Sequence, residues 1–157
     1  MNSKTRRKKE RLYIAYGSNL NLEQMAGRCP TAEVIGTAVL RNFCLCFRGA
    51  ATVEREKGSQ VPVLVWKLQP EDEHALDRYE GWPHLYRKEM LRITVNGRRA
   101  SAMIYIMNEH SRPYGAPSKH YFNAIMEGYK SAGFDQAALL QAAYNTAERN
   151  KKNDRDS

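Results

Sequence analysis

Leu12-Tyr13-Ile14-Ala15-Tyr16-Gly17-Ser18-Asn19-Leu20 reads as a buried strand that stops in a small polar turn. Leu12 to Tyr16 is apolar and rich in β-formers. Gly17 permits backbone angles closed to other residues, and Ser18 and Asn19 favour turns and caps. Asn21-Leu22-Glu23-Gln24-Met25 then has the form of a first helical turn, with Asn19 or Asn21 as its cap. A strand, a turn and a helix start gather free backbone N–H groups at one point, which attracts a carboxylate or a phosphate. An ordinary βα turn capped by Asn has the same local pattern.

Around this stretch, 157 residues with 42% hydrophobic content, two Trp, nine Tyr and four Phe suffice for one core. No apolar run nears the roughly 20 residues of a membrane span. The five apolar or aromatic residues after the basic start are too few for a secretion signal. Neither membrane attachment nor secretion is expected. The net charge of +8 is unevenly placed. Residues 1–11 carry six Lys or Arg and one Glu, and residues 148–157 carry four Lys or Arg and three acids, which leaves +2 for the body. The organisation expected is a disordered basic tail over 1–10, a single domain over 11–149 and a frayed tail over 150–157. The body has no basic stripe, so nucleic acid is not an expected partner outside the tail.

Cys29, Cys44 and Cys46 are odd in number and lack C-x-x-C spacing, which points to a reducing, cytoplasmic setting. His74, His84, His110 and His120 are scattered, and two thiols on one strand do not make a zinc site. No metal is expected.

Downstream, Ala32 to Leu40 is strand-like with Gly36 as a bulge, and Phe43, Leu45 and Phe47 alternate with polar or smaller residues as in a second strand. Arg48-Gly49-Ala50-Ala51 is small enough to approach another backbone or a ligand. Glu54 to Gln60 reads as a polar turn around Gly58, followed by an apolar strand over Val61 to Leu68. Pro70-Glu71-Asp72-Glu73 starts a helix that Gly81 ends. Leu85 to Val95, Asn96-Gly97 and Arg98 to Met107 form a hairpin with a type I′ turn, apolar on both faces. Ser118 caps a helix that Gly133 ends, with Tyr121, Ile125 and Tyr129 on one side, and an Ala-rich helix runs from Asp135 to near Arg149. The pattern is one strand, a helix, about five more strands broken by a short helix, then two helices. That gives an α+β fold with a mixed, closed or barrel-like sheet and peripheral helices.

Leu76-Asp77-Arg78-Tyr79-Glu80-Gly81-Trp82-Pro83 holds the best candidate for chemistry. Glu80 stands at a helix C-terminus among aromatic residues. An unfavourable dipole and desolvation both raise a carboxyl pKa toward neutrality, which suits acid–base work. A surface Glu paired with Arg78 or Arg87 fits the segment too.

Tyr-Gly-Ser-Asn-Leu after the first strand, followed about 60 residues later by Leu-Asp-x-x-Glu-Gly, resembles the γ-glutamylcyclotransferase (AIG2-like) family. Tyr105 after the Asn-Gly turn and Pro117-Ser118-x-x-Tyr121 leading to Gly128 extend the resemblance over roughly residues 12–140. It implies a small closed mixed sheet and conversion of γ-glutamyl compounds to 5-oxoproline and a free amine, without metal or cofactor. It also implies that Tyr16, Gly17, Ser18, Asn19 and Leu20 hold the γ-glutamyl group through backbone N–H groups. Glu80 matches the catalytic glutamate of the family, and Tyr105 and Tyr121 match tyrosines that orient the substrate. A sister group acting on γ-glutamylamines has Thr-Leu in place of Ser18-Asn19, so the loop sides with the γ-glutamyl-amino-acid type. Two alternatives accompany this: a γ-glutamylamine-specific cyclotransferase, and a non-enzymatic binding module whose basic tail contacts nucleic acid. The sequence sets no oligomeric state.

Overall fold

A computed structural model describes residues 10–109 and 111–156, with side chains through residue 152. Residues 1–9 of the expected basic tail lie outside the described residues.

Five strands form one mixed sheet: β1 (Arg11–Ala15), β2 (Glu33–Arg48), β3 (Ala50–Leu68), β4 (Tyr86–Val95) and β5 (Arg98–Met107). Their order is β2-β3-β1-β5-β4. The central strand β1 runs antiparallel to β3 and parallel to β5. Four helices surround the sheet: α1 (Leu22–Arg28), α2 (Pro70–Glu80), α3 (Lys119–Ala132) and α4 (Gln136–Asp156).

The sheet is open, not closed or barrel-like as expected. Strands β2 and β4 are its edges, and no ladder joins them. They approach each other beside the β4–β5 turn, where Asn96 Nδ2 donates to the Ile35 carbonyl at 3.1 Å. Register shifts at Val34/Gly36 and Arg41/Phe43 bend β2 and deny it a straight second partner.

The strand count also differs from expectation. The segments 32–40 and 43–47 are one strand, because Asn42 absorbs the kink in a left-handed conformation (φ 65). The turn expected at Glu54 to Gln60 lies within β3 as a bulge, where the Gly58 amide donates to Asn42 Oδ1 at 3.0 Å. The chain reverses instead at Gly49, whose amide and carbonyl neighbours bond Gly115 from the 108–118 loop.

The Asn96-Gly97 turn has positive φ at both residues (52 and 77), as type I′ requires. Strand β5 is buried on both faces, with Ala102, Met103, Ile104 and Tyr105 fully enclosed. Ile14, Phe47, Leu68, Leu76, Ile125, Tyr129 and Leu139 bring every layer into the same core.

Helix α2 begins with a reciprocal cap between Gln69 and Asp72 and ends at Gly81 with φ 66. Ser118 caps α3 by accepting from the Tyr121 amide. Helix α4 does not stop near Arg149. It continues to Asp156 through a run of charged helix formers, anchored by Arg149 to Glu54 and Glu56 at 3.3 and 3.2 Å.

Candidate active site

The polar end of β1 makes a 3-10 turn, Ser18–Leu20, closed by bonds from the Leu20 amide to Gly17 and from the Asn21 amide to Ser18. Asn21, not Asn19, caps α1 by accepting from the Gln24 amide at 3.0 Å. Its Nδ2 reaches Ala124 and Glu127 of α3, so this helix start is occupied by protein. The free N–H groups expected here belong instead to the 3-10 turn, whose first amides have no intrahelical acceptor. Ser18 and Asn19 donate their amides to no described group.

Helix α3 presses this turn into place. Gly128 lies so close to Leu20 that a Cβ at residue 128 would fall 2.6 Å from Leu20 Cβ and 2.7 Å from its carbonyl carbon. Only a glycine lets the helix backbone approach that far. Leu20 is accordingly buried in the core rather than turned to a ligand.

The opposite wall comes from α2. Lys88 of β4 pairs with Glu73 at 2.6 Å and with Asp77 at 2.9 Å. Asp77 also accepts the Tyr105 hydroxyl at 2.6 Å. Glu73, Asp77 and Glu80 share one helix face at i, i+4 and i+7. The first two carboxylates are neutralised, and Glu80 is delivered without a hydrogen bond or ion pair among the described residues. Arg87, one of the partners open to it from sequence, pairs with Glu89 at 2.8 Å instead.

Glu80 faces a cavity of about 20 Å³, shared with Tyr13, Tyr16, Gly17, Ser18, Asn19, Ala51 and Tyr121. Burial pushes its carboxyl up to about 7, and the positive charge of Arg28 partly opposes that rise. The dipole of α2 is not needed to account for it. Burial raises the hydroxyls of Tyr13, Tyr16, Tyr86 and Tyr121 above the usual tyrosine range, so all four are neutral near pH 7.

Two of these hydroxyls grip Ala51. Tyr121 Oη accepts from the Ala51 amide at 3.0 Å, and Tyr86 donates to the Ala51 carbonyl at 2.6 Å. With its oxygen engaged by the Ala51 amide, Tyr121 still has its own O–H to donate, and the Ser18 side chain lies within hydrogen-bond reach of it. Larger clefts lie elsewhere. One of about 390 Å³ is lined by Arg48, Glu54, Arg55 and Arg87, but their charges pair within the protein, with Glu54 and Glu89. Among the described residues, the small cavity joins an unpaired carboxylate near neutrality to free amides, and chemistry outweighs volume here.

Residues 13–123, which include both walls of this cavity, match the family described as gamma-glutamyl cyclotransferase, AIG2-like. The chain belongs to that family. The human protein named gamma-glutamylcyclotransferase is 32% identical over 137 residues, covering 78% of this chain and 71% of its own. The bovine protein of that name is 33% identical over 137 residues, with the same two coverages. A solved structure titled gamma-glutamyl cyclotransferase superposes with a TM-score of 0.75 at 26% identity, covering 85% of this chain and 86% of its own.

Of the residues that the γ-glutamylcyclotransferase resemblance singles out, the fold brings Tyr16, Gly17, Ser18, Asn19, Glu80 and Tyr121 to one cavity. Leu20 and Tyr105 stand outside it. Leu20 packs under α3, and Tyr105 is fully enclosed, its hydroxyl turned to Asp77 and its carbonyl accepting the Tyr16 hydroxyl at 2.6 Å. Tyr13, Tyr86 and Arg28 were missed. Tyr13 lies two positions before the end of β1 and has no local signal. The small stretch Arg48 to Ala51 did signal a close approach, which Ala51 makes to Gly17, where an added Cβ would fall 3.1 Å from Ala51 Cβ.

Proposed function

We propose that this γ-glutamylcyclotransferase converts a γ-glutamyl amino acid to 5-oxoproline and a free amino acid, with Glu80 as the proton carrier. The α-ammonium of the substrate gives a proton to the Glu80 carboxylate. The freed amine attacks the γ-carbonyl carbon of the same molecule, forming a ring C–N bond. As the original amide C–N bond breaks, the proton on Glu80 goes to the departing amine; the ring nitrogen then sheds its second proton to the Glu80 carboxylate, which passes it to the freed amine, so that 5-oxoproline and an ammonium leave and Glu80 is restored. No nucleophilic side chain takes part, and Ser18 is a loop residue. Holding the chain of the substrate folded supplies much of the acceleration, on the order of several kcal/mol.

The observation that carries this reading is Glu80, an unpaired carboxyl raised to about 7 and facing the amides of the Ser18–Leu20 turn. A group of that affinity can both accept and return a proton near neutral pH. In this scheme the amides of Ser18 and Asn19 receive the substrate α-carboxylate, and Tyr121 donates to the γ-carbonyl oxygen as charge builds there. Tyr16 and Gly17 shape the pocket. Leu20 and Tyr105 act from behind it, Tyr105 through Asp77 on the helix that carries Glu80. The partner is a small molecule, and the three free cysteines suit a cytoplasmic setting.

The test is 5-oxoproline release from γ-glutamyl-alanine by wild type and Glu80→Gln, measured across pH. Glu80 works as a base in its ionised form. kcat/KM for wild type therefore falls as pH drops through about 7. Undiminished turnover by Glu80→Gln would remove the assignment. A parallel panel of γ-glutamylamines decides the leaving group, and preference for them would replace the amino-acid reading.

A further inference from the structure

Four neutral tyrosines lie around Glu80: Tyr13 from β1, Tyr16 just after β1, Tyr86 from β4 and Tyr121 from α3; β3 adds Ala51 to the same cavity. Among the described residues, the one charged group that acts on it is Arg28, in the last turn of α1. Arg28 is also the hub of the turn on which the substrate is held. Its Nη1 donates to Asn19 Oδ1, and its Nη2 donates to Gln24 Oε1 at 3.4 Å. The guanidinium carbon lies over the Tyr79 ring, 3.6 Å from the centroid. Tyr79 in turn shares a hydrogen bond with Ser18 Oγ at 2.9 Å, and Asn19 Nδ2 donates to the Tyr13 hydroxyl at 2.8 Å. Both side chains of the turn that flank its free amides are thus tied, directly or through one ring, to a single guanidinium. Tyr79 belongs to α2, one residue before Glu80, so the same group also pins the two walls of the cavity together.

We propose that Arg28 is a positioning residue of the cyclotransferase reaction, locking the Ser18–Leu20 turn to α2 and supplying the one positive charge set against Glu80. The guanidinium suits both tasks. Its plane stacks on an aromatic ring while its edge donates two bonds, which an ammonium group does not reproduce. It makes no ion pair with Glu80, so it tempers the carboxyl without holding it permanently ionised. The resting charge stays available for the proton transfer that the reaction needs.

The inference rests on Glu80 as the base, and the experiment separates the two. pH profiles of kcat/KM are measured for wild type, Arg28→Lys, Arg28→Gln and Tyr79→Leu, with thermal unfolding of each. Arg28→Gln removes the charge and moves the midpoint of the acidic limb to higher pH by half a unit or more. Arg28→Lys keeps that midpoint near the wild-type value but raises KM at least fivefold, because the stack and the fork are gone. Tyr79→Leu raises KM and leaves the midpoint in place. An unmoved midpoint in folded Arg28→Gln overturns the proposal, and so does a wild-type KM in Arg28→Lys. If Arg28→Gln does not fold, the Lys and Leu variants still decide. Wild-type KM in either refutes the lock. If instead wild type has no acidic limb and Glu80→Gln is active, the base assignment has failed, an outcome distinct from an unmoved limb.

Discussion

Gly128→Ala tests how closely the substrate turn depends on the helix behind it. The added Cβ would stand 2.6 Å from Leu20 Cβ, 2.7 Å from its carbonyl carbon and 2.9 Å from its carbonyl oxygen. Two of those three atoms are backbone, so no rotamer change relieves the clash. Ordinary contact begins near 3.4 Å, and the helix or the turn must yield by about 0.8 Å. Overpacking of this kind costs about 1–3 kcal/mol. For a chain of this length each kcal/mol lowers Tm by roughly 2–4 °C, so a fall of about 2–12 °C is expected. The functional loss should be larger in proportion. The displaced residue ends the turn whose amides face Glu80, and a misplacement near 1 Å can cost about 100-fold in rate. kcat/KM for 5-oxoproline release should fall roughly ten- to a hundredfold. Gly27→Ala is the control. Residue 27 lies in α1, and a Cβ there meets nothing within 4 Å. The same substitution should therefore stabilise by about 0.5–1 kcal/mol through helix propensity alone. Thermal unfolding and steady-state kinetics on both variants decide the matter. A Gly128→Ala protein with wild-type Tm and wild-type kcat/KM would refute the close-packing argument.

Three further outcomes are expected. Glu80 titrates at about 7 in the folded protein, above its unfolded value, so its favourable contribution is complete at low pH and lost as pH rises through 7. Glu80→Gln should therefore be inactive yet more stable than wild type at pH 8, by up to about 3 kcal/mol, with the gap closing by pH 4; a variant less stable at pH 8 counts against burial of the charge. Lys88→Met takes the cation from Asp77, which is 15% exposed, and leaves Glu73, which is 16% exposed, paired with Arg11 alone, and should lower stability in urea by roughly 1–3 kcal/mol. An unchanged midpoint would show that the two acids are solvated. Tyr121→Phe leaves the Ala51 amide without its acceptor and removes the donor O–H, and kcat/KM should drop roughly tenfold or more, with the circular dichroism spectrum preserved; unaltered kinetics would put Tyr121 outside the reaction.

The local chemistry of this chain is written in adjacent residues. Alternating apolar residues, Asn-Gly, the Ser118 cap and the glycines at 81 and 133 place strands, hairpin and helix ends, because each acts over a few positions. The position of Glu80 at a helix end beside a strand-turn motif was legible for the same reason. Three features were not. The bulges in β2 depend on which residue of β3 lies opposite, and a residue such as Asn42 reveals its kink only when Gly58 is brought across from it. Tyr105 and Tyr121 look alike as tyrosines in a run, yet one is turned to Asp77 and the other to the cavity, a difference set by packing. The ionisation of Glu80 is decided last of all. Desolvation and the charge of Arg28, 52 positions away, exist only once α1, α2 and α3 close around one point. Sequence by itself determined which groups could do the chemistry; tertiary structure decided which of them meet, because burial and long-range contact are properties of the assembled chain.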